Sequence, residues 1–395
     1  MKKNQKLTEN LFYNKGLNEN LYDSIPTAKL VKIKKLGTPV TMSGPRPYVF
    51  THGEFHNAFA STTSTYPHYP NTTKREGDPI CDSFRVHIHQ ELFIACIADG
   101  CNWGERPREA SNRGKDAFVR SIEANIATVK NFRDLGPLMM AALDESHMAI
   151  LAEKNDIWMA GTTTLLGGVC VKLADPAVGK EWAFMGVTVG DCKTFMFSSK
   201  EKTVVDLTEG NRMNITDPRD PGGRIGPYVG GGDADVRNLM LFHVFLEEGD
   251  ILFFLSDGVH DNLDPQTLGK DPSDFGLDGK DWDDVDLLAG TKVKTEFMCK
   301  TLQDFILNEN GTVSTPKIIT KKIIKYCMDL TAPSREYMEQ NPNNSLGNDY
   351  LKYPGKMDHA TCIALKIGTF NIEQEKLREK ELELQESLDP NIWPF

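Results

Sequence analysis

The chain reads as a layered α+β domain with sheets inside and helices outside. Two observations predict this. Strand-length apolar runs, LFIACIADG and DILFFLSDG, each end in Asp-Gly, and two long helix-like stretches separate the first run from a β-rich region that begins at residue 161.

In order, residues 1–40 form a polar leader with a mild basic excess (Lys2, Lys3, Lys6, Lys32, Lys34, Lys35), read as a solvated extension or an added edge element in preference to a docking arm. Residues 60–80 are rich in Ser, Thr and Pro and read as a loop. The run 92–98 is a buried strand. Helices are expected over 110–129 and over 135–154, where Leu138, Ala142, Leu143, Met148 and Leu151 recur near helical spacing. GTTTLLGGVCVKLA and EWAFMGVTVGDCKTFMFS are β-rich, the second with a Gly-Asp turn between two apolar runs. Residues 208–238 carry many Gly, Pro and Asp and read as a long irregular flap. An acidic insertion at 264–287 precedes helices near 293–308 and 315–329. ATCIALKIG is the last strand, and 371–389 reads as a charged terminal helix with a thin leucine stripe.

The chain has 395 residues, 39% of them hydrophobic, enough for a sizeable core. Acidic residues outnumber basic ones by 56 to 45, for a formal charge of −11. That balance argues against nucleic-acid binding, which needs Lys and Arg on phosphates. Eight cysteines are scattered without a CxxC pair and read as free thiols in a reducing compartment. No apolar run approaches a membrane span and the first residues lack an apolar signal core, so a cytoplasmic protein is expected.

Four aspartates share a setting at strand ends. Asp99 and Asp257 each follow a buried run and precede glycine, Asp191 sits in the Gly-Asp turn, and Asp358 stands before the last strand. Any one of them is explained by turn formation. The near-match of FIACIADG with LFFLSDG points further, to rigid strands delivering carboxylates and to glycines that let the backbone approach a ligand closely. Carboxylates converging at sheet ends repel one another unless a cation lies between them, and hard divalent ions ligated by oxygen answer that need.

The ordered series ADG (98–100), GTTT (161–164), GDC (190–192), SDGVHD (256–261) and DHAT (358–361) resembles the motif set of PPM/PP2C-type metal-dependent serine/threonine phosphatases, over roughly residues 45–368. The resemblance implies a four-layer α-β-β-α sandwich, two central antiparallel β-sheets flanked by helices. It implies two Mg²⁺ or Mn²⁺ ions, with a third site possible. Asp99 would bridge two ions and the Gly100 carbonyl would ligate one. Asp257 and Asp358 would complete the second, and Asp191 with Asp261 would match the third. A water shared by the ions would attack phosphorus in line, with no phosphoenzyme. A phosphoprotein substrate, a monomer, and domains at 1–40 (extension), 41–370 (phosphatase) and 371–395 (tail) complete the expectation.

The first motif departs from the pattern. In KREGDPICDSF, Arg75 is the best phosphate clamp, a guanidinium fork suiting phosphate oxygens. Asp82 is preferred to Asp78 for a water-mediated metal contact. Cys101 occupies the place where many members have histidine, and His260 and His359 beside the metal aspartates invite attention as proton donors. In the flap, Arg219 and Arg224 are candidates either to meet acidic phosphopeptides or to pair with nearby aspartates, and Trp103 is placed to shape the entrance. The eroded first motif keeps a second reading open, a pseudophosphatase acting as a protein-binding module. A third, another Mg²⁺-dependent hydrolase such as a nuclease, lacks the basic surface it needs.

Overall fold

Residues that alternate or run apolar over five to ten positions pair into two antiparallel six-stranded sheets in the computed structural model. It describes residues 22–374 and 377, apart from 34–35, 46–50, 56, 213, 218–219, 343, 345 and 348. The expectations for Lys2, Lys3, Lys6, Lys34, Lys35 and Arg219, and for most of the terminal helix, lie outside the described residues.

The strands are β1 (Val40–Gly44), β2 (Thr51–Phe55), β3 (Ala58–Ser64), β4 (Ser83–His89), β5 (Leu92–Ala98), β6 (Leu165–Ala177), β7 (Lys180–Val189), β8 (Lys193–Phe197), β9 (Val204–Asp206), β10 (Met240–Leu246), β11 (Ile251–Leu255) and β12 (His359–Lys366). The helices are α1 (Glu105–Asn125), α2 (Leu135–Leu151), the single turn α3 (Asp257–His260), α4 (Leu287–Ile306), α5 (Pro316–Leu330) and α6 (Ala332–Gln340). One sheet runs β1-β4-β5-β6-β7-β10 and the other β2-β3-β12-β11-β8-β9. Their inner faces meet through Phe84, Phe93, Trp182, Phe184, Phe254 and Ile363. Helices α1 and α2 cover the first sheet with Phe118, Ile122, Met139 and Leu143. Helices α4 and α5 cover the second with Leu302, Ile306, Ile319 and Ile323. The architecture is the expected α-β-β-α sandwich, held by three apolar layers that each exclude water.

Two sequence expectations need correction. Residues 60–64 are interior strand, not loop: β3 is buried along its whole length between β2 and β12. Its Ser and Thr side chains mislead a reading by polarity, because hydroxyls that find partners across the sheet are tolerated inside. Thr62 Oγ1 lies 2.9 Å from Thr361 Oγ1. Within the leader, Ile25 and Leu30 are buried in the helical layer, and Leu30 bridges Leu173 at the end of β6. The described part of the leader is therefore an added edge element and not a solvated extension.

The Asp-Gly glycines serve packing. A Cβ on Gly100 would lie 2.6 Å from the Pro107 carbonyl oxygen of α1, and one on Gly258 only 1.9 Å from the His359 carbonyl oxygen of β12. The close approach is to the protein's own backbone, where the sequence suggested a ligand. Both glycines draw a neighbouring element against a site aspartate.

Candidate functional site

Strands β5, β7 and β11 end, and β4 and β12 begin, at the same edge of the sandwich. Six aspartates meet there: Asp82, Asp99, Asp191, Asp257, Asp261 and Asp358. Asp82, Asp191, Asp257 and Asp261 are buried. A cleft of about 1440 Å³ opens onto the group, with Asp99, Gly100, Asp191, Asp257 and Asp358 in its lining.

Each aspartate is held by its neighbours. The Asp99 carbonyl accepts the Thr164 amide at 2.8 Å and the Thr163 hydroxyl at 2.7 Å, which gives the GTTT motif a physical role. The Asp191 carbonyl lies 2.9 Å from His260 Nε2, while Asn211 and Asn238 both donate to the Gly190 carbonyl. Tyr66 donates its hydroxyl to Asp358 Oδ1 at 2.9 Å. Asp82 Oδ2 accepts from Ser256 Oγ at 2.8 Å and Thr361 Oγ1 at 2.7 Å. Asp78, by contrast, accepts the Arg75 amide at 2.7 Å as a turn residue. Among the described residues, the buried oxygens Asp82 Oδ1 and Asp257 Oδ1 have no partner.

Two cations that the motif reading did not foresee stand inside the cluster. Lys356 Nζ pairs with Asp257, and lies 3.2 Å from Asp261 Oδ2 and 2.9 Å from Asp358 Oδ2. Arg212 joins Asp191 (2.5 Å) to Asp261 (2.6 Å). No spacing rule marks either one, since both come from loops. The only local hint was that Lys356 stands two residues before Asp358.

The charges explain the titration of the group. Burial, with Asp82, Asp257 and Asp358 nearby, holds Asp99 well above the usual carboxylate range. Burial lifts Asp82 to about 8 against its hydroxyl donors, and Asp358 to about 6 against Lys356. Asp191 is raised by burial despite Arg212. For Asp257 burial is outweighed by Lys356, and for Asp261 by Arg212 and Lys356, so both are lowered. Burial pushes the Cys101 thiol up to about 11 and His359 down to about 4. At neutral pH neither a Cys101 thiolate nor a charged His359 is present. His260 is engaged on both sides, Nδ1 lying 3.2 Å from Asp261.

Arg75 is not brought to the cluster. Its guanidinium donates to the Tyr66 carbonyl at 2.5 Å, and it does not line the cleft. Arg224 and Trp103 do line it.

The donor set is all hard oxygen, which suits Mg²⁺ or Mn²⁺. Six carboxylates against two cations would leave an excess of four negative charges were all ionised. Two orphaned oxygens add to the demand for a cation. Among the described residues, however, no three acidic, His or Cys side chains form a ready ligand shell, and Lys356 stands between those that would.

Two antiparallel sheets packed between helices, with aspartates gathered at one sheet edge, are the arrangement of a PP2C-like sandwich. No family model matches the chain. The chain is similar to a PP2C-like domain-containing protein of Drosophila melanogaster, 28% identical over 224 residues, which cover 54% of this chain and 30% of that protein. The match therefore spans under a third of that relative's length. Among solved structures, a PPM Ser-Thr phosphatase of Mycobacterium smegmatis is 13% identical, covering 79% of this chain and 98% of its own at a TM-score of 0.40. The photosystem II phosphatase PBCP is 16% identical over 79% of this chain and all of its own, at 0.39. The catalytic domain of PstP, solved with two manganese ions, is 12% identical over 78% and 97%, at 0.38. Likeness at this level adds nothing about chemistry. Among the described residues no helix is long and apolar enough to cross a membrane.

Proposed function

We propose that the chain hydrolyses phosphoserine and phosphothreonine in proteins, using two Mg²⁺ or Mn²⁺ ions held by Asp99, the Gly100 carbonyl, Asp257 and Asp358. The observation that carries this reading is the convergence of hard oxygen donors on the cleft floor, where Asp257 Oδ1 has no partner among the described residues. When bound, two such ions acidify a shared water and offset charge on the phosphoryl oxygens. The chain's own part is to orient and to hold. Thr163 and Thr164 fix the backbone of Asp99, Tyr66 fixes Asp358, and Ser256 with Thr361 fix Asp82. Asp191 and Asp261 offer a third, looser site now shared by Arg212. With Cys101 a thiol at neutral pH, covalent catalysis by that residue has no support.

A second reading has its own observation. Lys356 Nζ already reaches three of the carboxylates. A protein that uses this fold only to bind partners would keep its acidic pocket neutralised in this way. Hydrolysis of a phosphothreonine peptide and of p-nitrophenyl phosphate, with Mn²⁺, Mg²⁺ or EDTA, separates the two. Metal-dependent turnover abolished by EDTA is the expected result. Absence of turnover, whether or not metal binds, overturns the first reading and selects the second.

A further inference from the structure

Beyond the aspartate cluster, the cleft walls are themselves acidic. Glu76, Asp217, Asp271, Asp281, Asp283 and Asp349 line them, contributed by the loop after β3, the flap, the insertion and the loop before β12. The wall cations are Arg224, stacked 4.3 Å from the Tyr228 ring centre, and Lys270, 5.8 Å from that of Phe297. Among the described residues, and leaving Asp217 aside, five wall acids face two wall cations, so these walls are negative. Asp271, Asp281, Asp283 and Asp349 are exposed. At the mouth, Trp103 is 53% exposed and stands edge-on to Tyr66, with ring centres 5.1 Å apart.

An independent sign of a ligand lies on the floor of the same cleft. Asp257 is only 8% exposed, lines the cleft, and leaves Oδ1 without a partner among the described residues. The cleft thus ends in a buried carboxylate oxygen open to a polar guest, and its walls determine what charge can approach it. A cleft lined by one sign of charge concentrates the opposite sign and speeds its arrival. An exposed indole adds a face on which a guanidinium or ammonium can rest.

We propose that this cleft selects phosphorylated protein segments whose flanking residues are lysine or arginine. This rests on the phosphatase reading above for the phosphate, while the flanking preference rests on the wall charges alone. The phosphate lies at the floor, and basic residues on either side lie against the Asp281–Asp283 and Asp349 walls and the Trp103 face. Acid-flanked phosphopeptides are repelled.

The test uses the full chain with Mn²⁺ and fluorescence anisotropy with three labelled peptides, the first two carrying a non-hydrolysable phosphonate in place of the phosphate so that turnover does not intervene. One holds the phosphothreonine analogue among lysines and arginines, one holds it among aspartates and glutamates, and one is the unphosphorylated basic peptide. The basic phosphopeptide should bind about tenfold or more tightly than the acidic one at about 50 mM salt, the ratio shrinking at about 0.5 M. Asp281→Lys with Asp283→Lys, two exposed positions, should remove most of the ratio. Asp304→Lys with Glu309→Lys, exposed and outside the cleft, makes the same charge change and should leave it standing. Equal affinity for the two phosphopeptides overturns the inference, as does an equal loss in both double variants. The two readings fail separately. No turnover with Mn²⁺ but a retained basic preference removes the phosphatase and keeps the basic-peptide cleft. Turnover of both phosphopeptides at equal kcat/KM, with equal affinities, does the reverse.

Discussion

The sheet-edge aspartates and the loops that surround them are built on different principles. Asp99 and Asp257 emerge from strands whose every residue is buried, and their backbones are fixed by glycine contacts and threonine hydroxyls. Lys356, Arg212, Arg224 and the wall acids come from irregular segments, where charges face one another or the cleft. The rigid part places carboxylates closer together than water alone would allow. The loop part decides how that repulsion is relieved, by an internal lysine and arginine or by ions from solution. The contrast separates what the fold imposes from what the proposed chemistry would still have to add.

The largest effect should come from the rigid side. Asp257→Asn removes one ligand charge and exchanges a carboxylate oxygen for an amide nitrogen, and is expected to lower kcat on a phosphothreonine peptide by about a thousandfold or more with Mn²⁺. A variant within tenfold of the parent would place the chemistry elsewhere.

Next is Gly258→Ala. Its Cβ would fall 1.9 Å from the His359 carbonyl oxygen, so α3 and β12 must separate. A loss of about 3 kcal/mol in chemical denaturation is expected, and a neutral outcome would show that this contact yields easily.

The flap offers a smaller, pH-dependent effect. His147 of α2 is buried, accepts the Gly226 amide through Nδ1 at 3.1 Å, and is pushed down to about 4 by burial, with Asp233 as the opposing charge. A histidine whose folded value is lowered binds fewer protons folded than unfolded. Its share of stability is therefore full above the unfolded value of about 6.5 and is lost as pH falls toward 4. The slope is at most about 1.4 kcal/mol per pH unit. Denaturation midpoints measured from pH 7 to pH 5 should fall, and His147→Gln should flatten the curve. An unchanged slope would mean that this tie between flap and helix does not titrate.

The smallest expected change is on the loop side. Lys356→Met removes an internal competitor for three carboxylates, and should tighten Mn²⁺ binding about tenfold by calorimetry. Weaker binding would mean that Lys356 organises the carboxylates more than it blocks them.

The same division governs what could be read from the sequence. Strand-end aspartates were legible because a continuous apolar run and the glycine after it are local signals, and Asp99, Asp191, Asp257, Asp261 and Asp358 do come together. Asp82 joins them through Ser256 and Thr361, contacts 174 and 279 residues apart in sequence. The placement of Arg75 did not follow from its motif, because the loop turns its guanidinium onto the Tyr66 carbonyl. The strand Ala58–Ser64 was hidden by hydroxyl side chains that are satisfied only across the sheet. Arg212 left no pattern and Lys356 only its place two residues before Asp358, since ion pairs formed between loops have no period.

A titration of the metal-free chain with Mn²⁺, followed by electron paramagnetic resonance and repeated on Asp257→Asn, reaches the central claim most directly. Two ions bound per chain, with at least one lost in the variant, is the predicted result. A parent chain that leaves all the manganese free, with Lys356 remaining the counter-ion of the cluster, would contradict it.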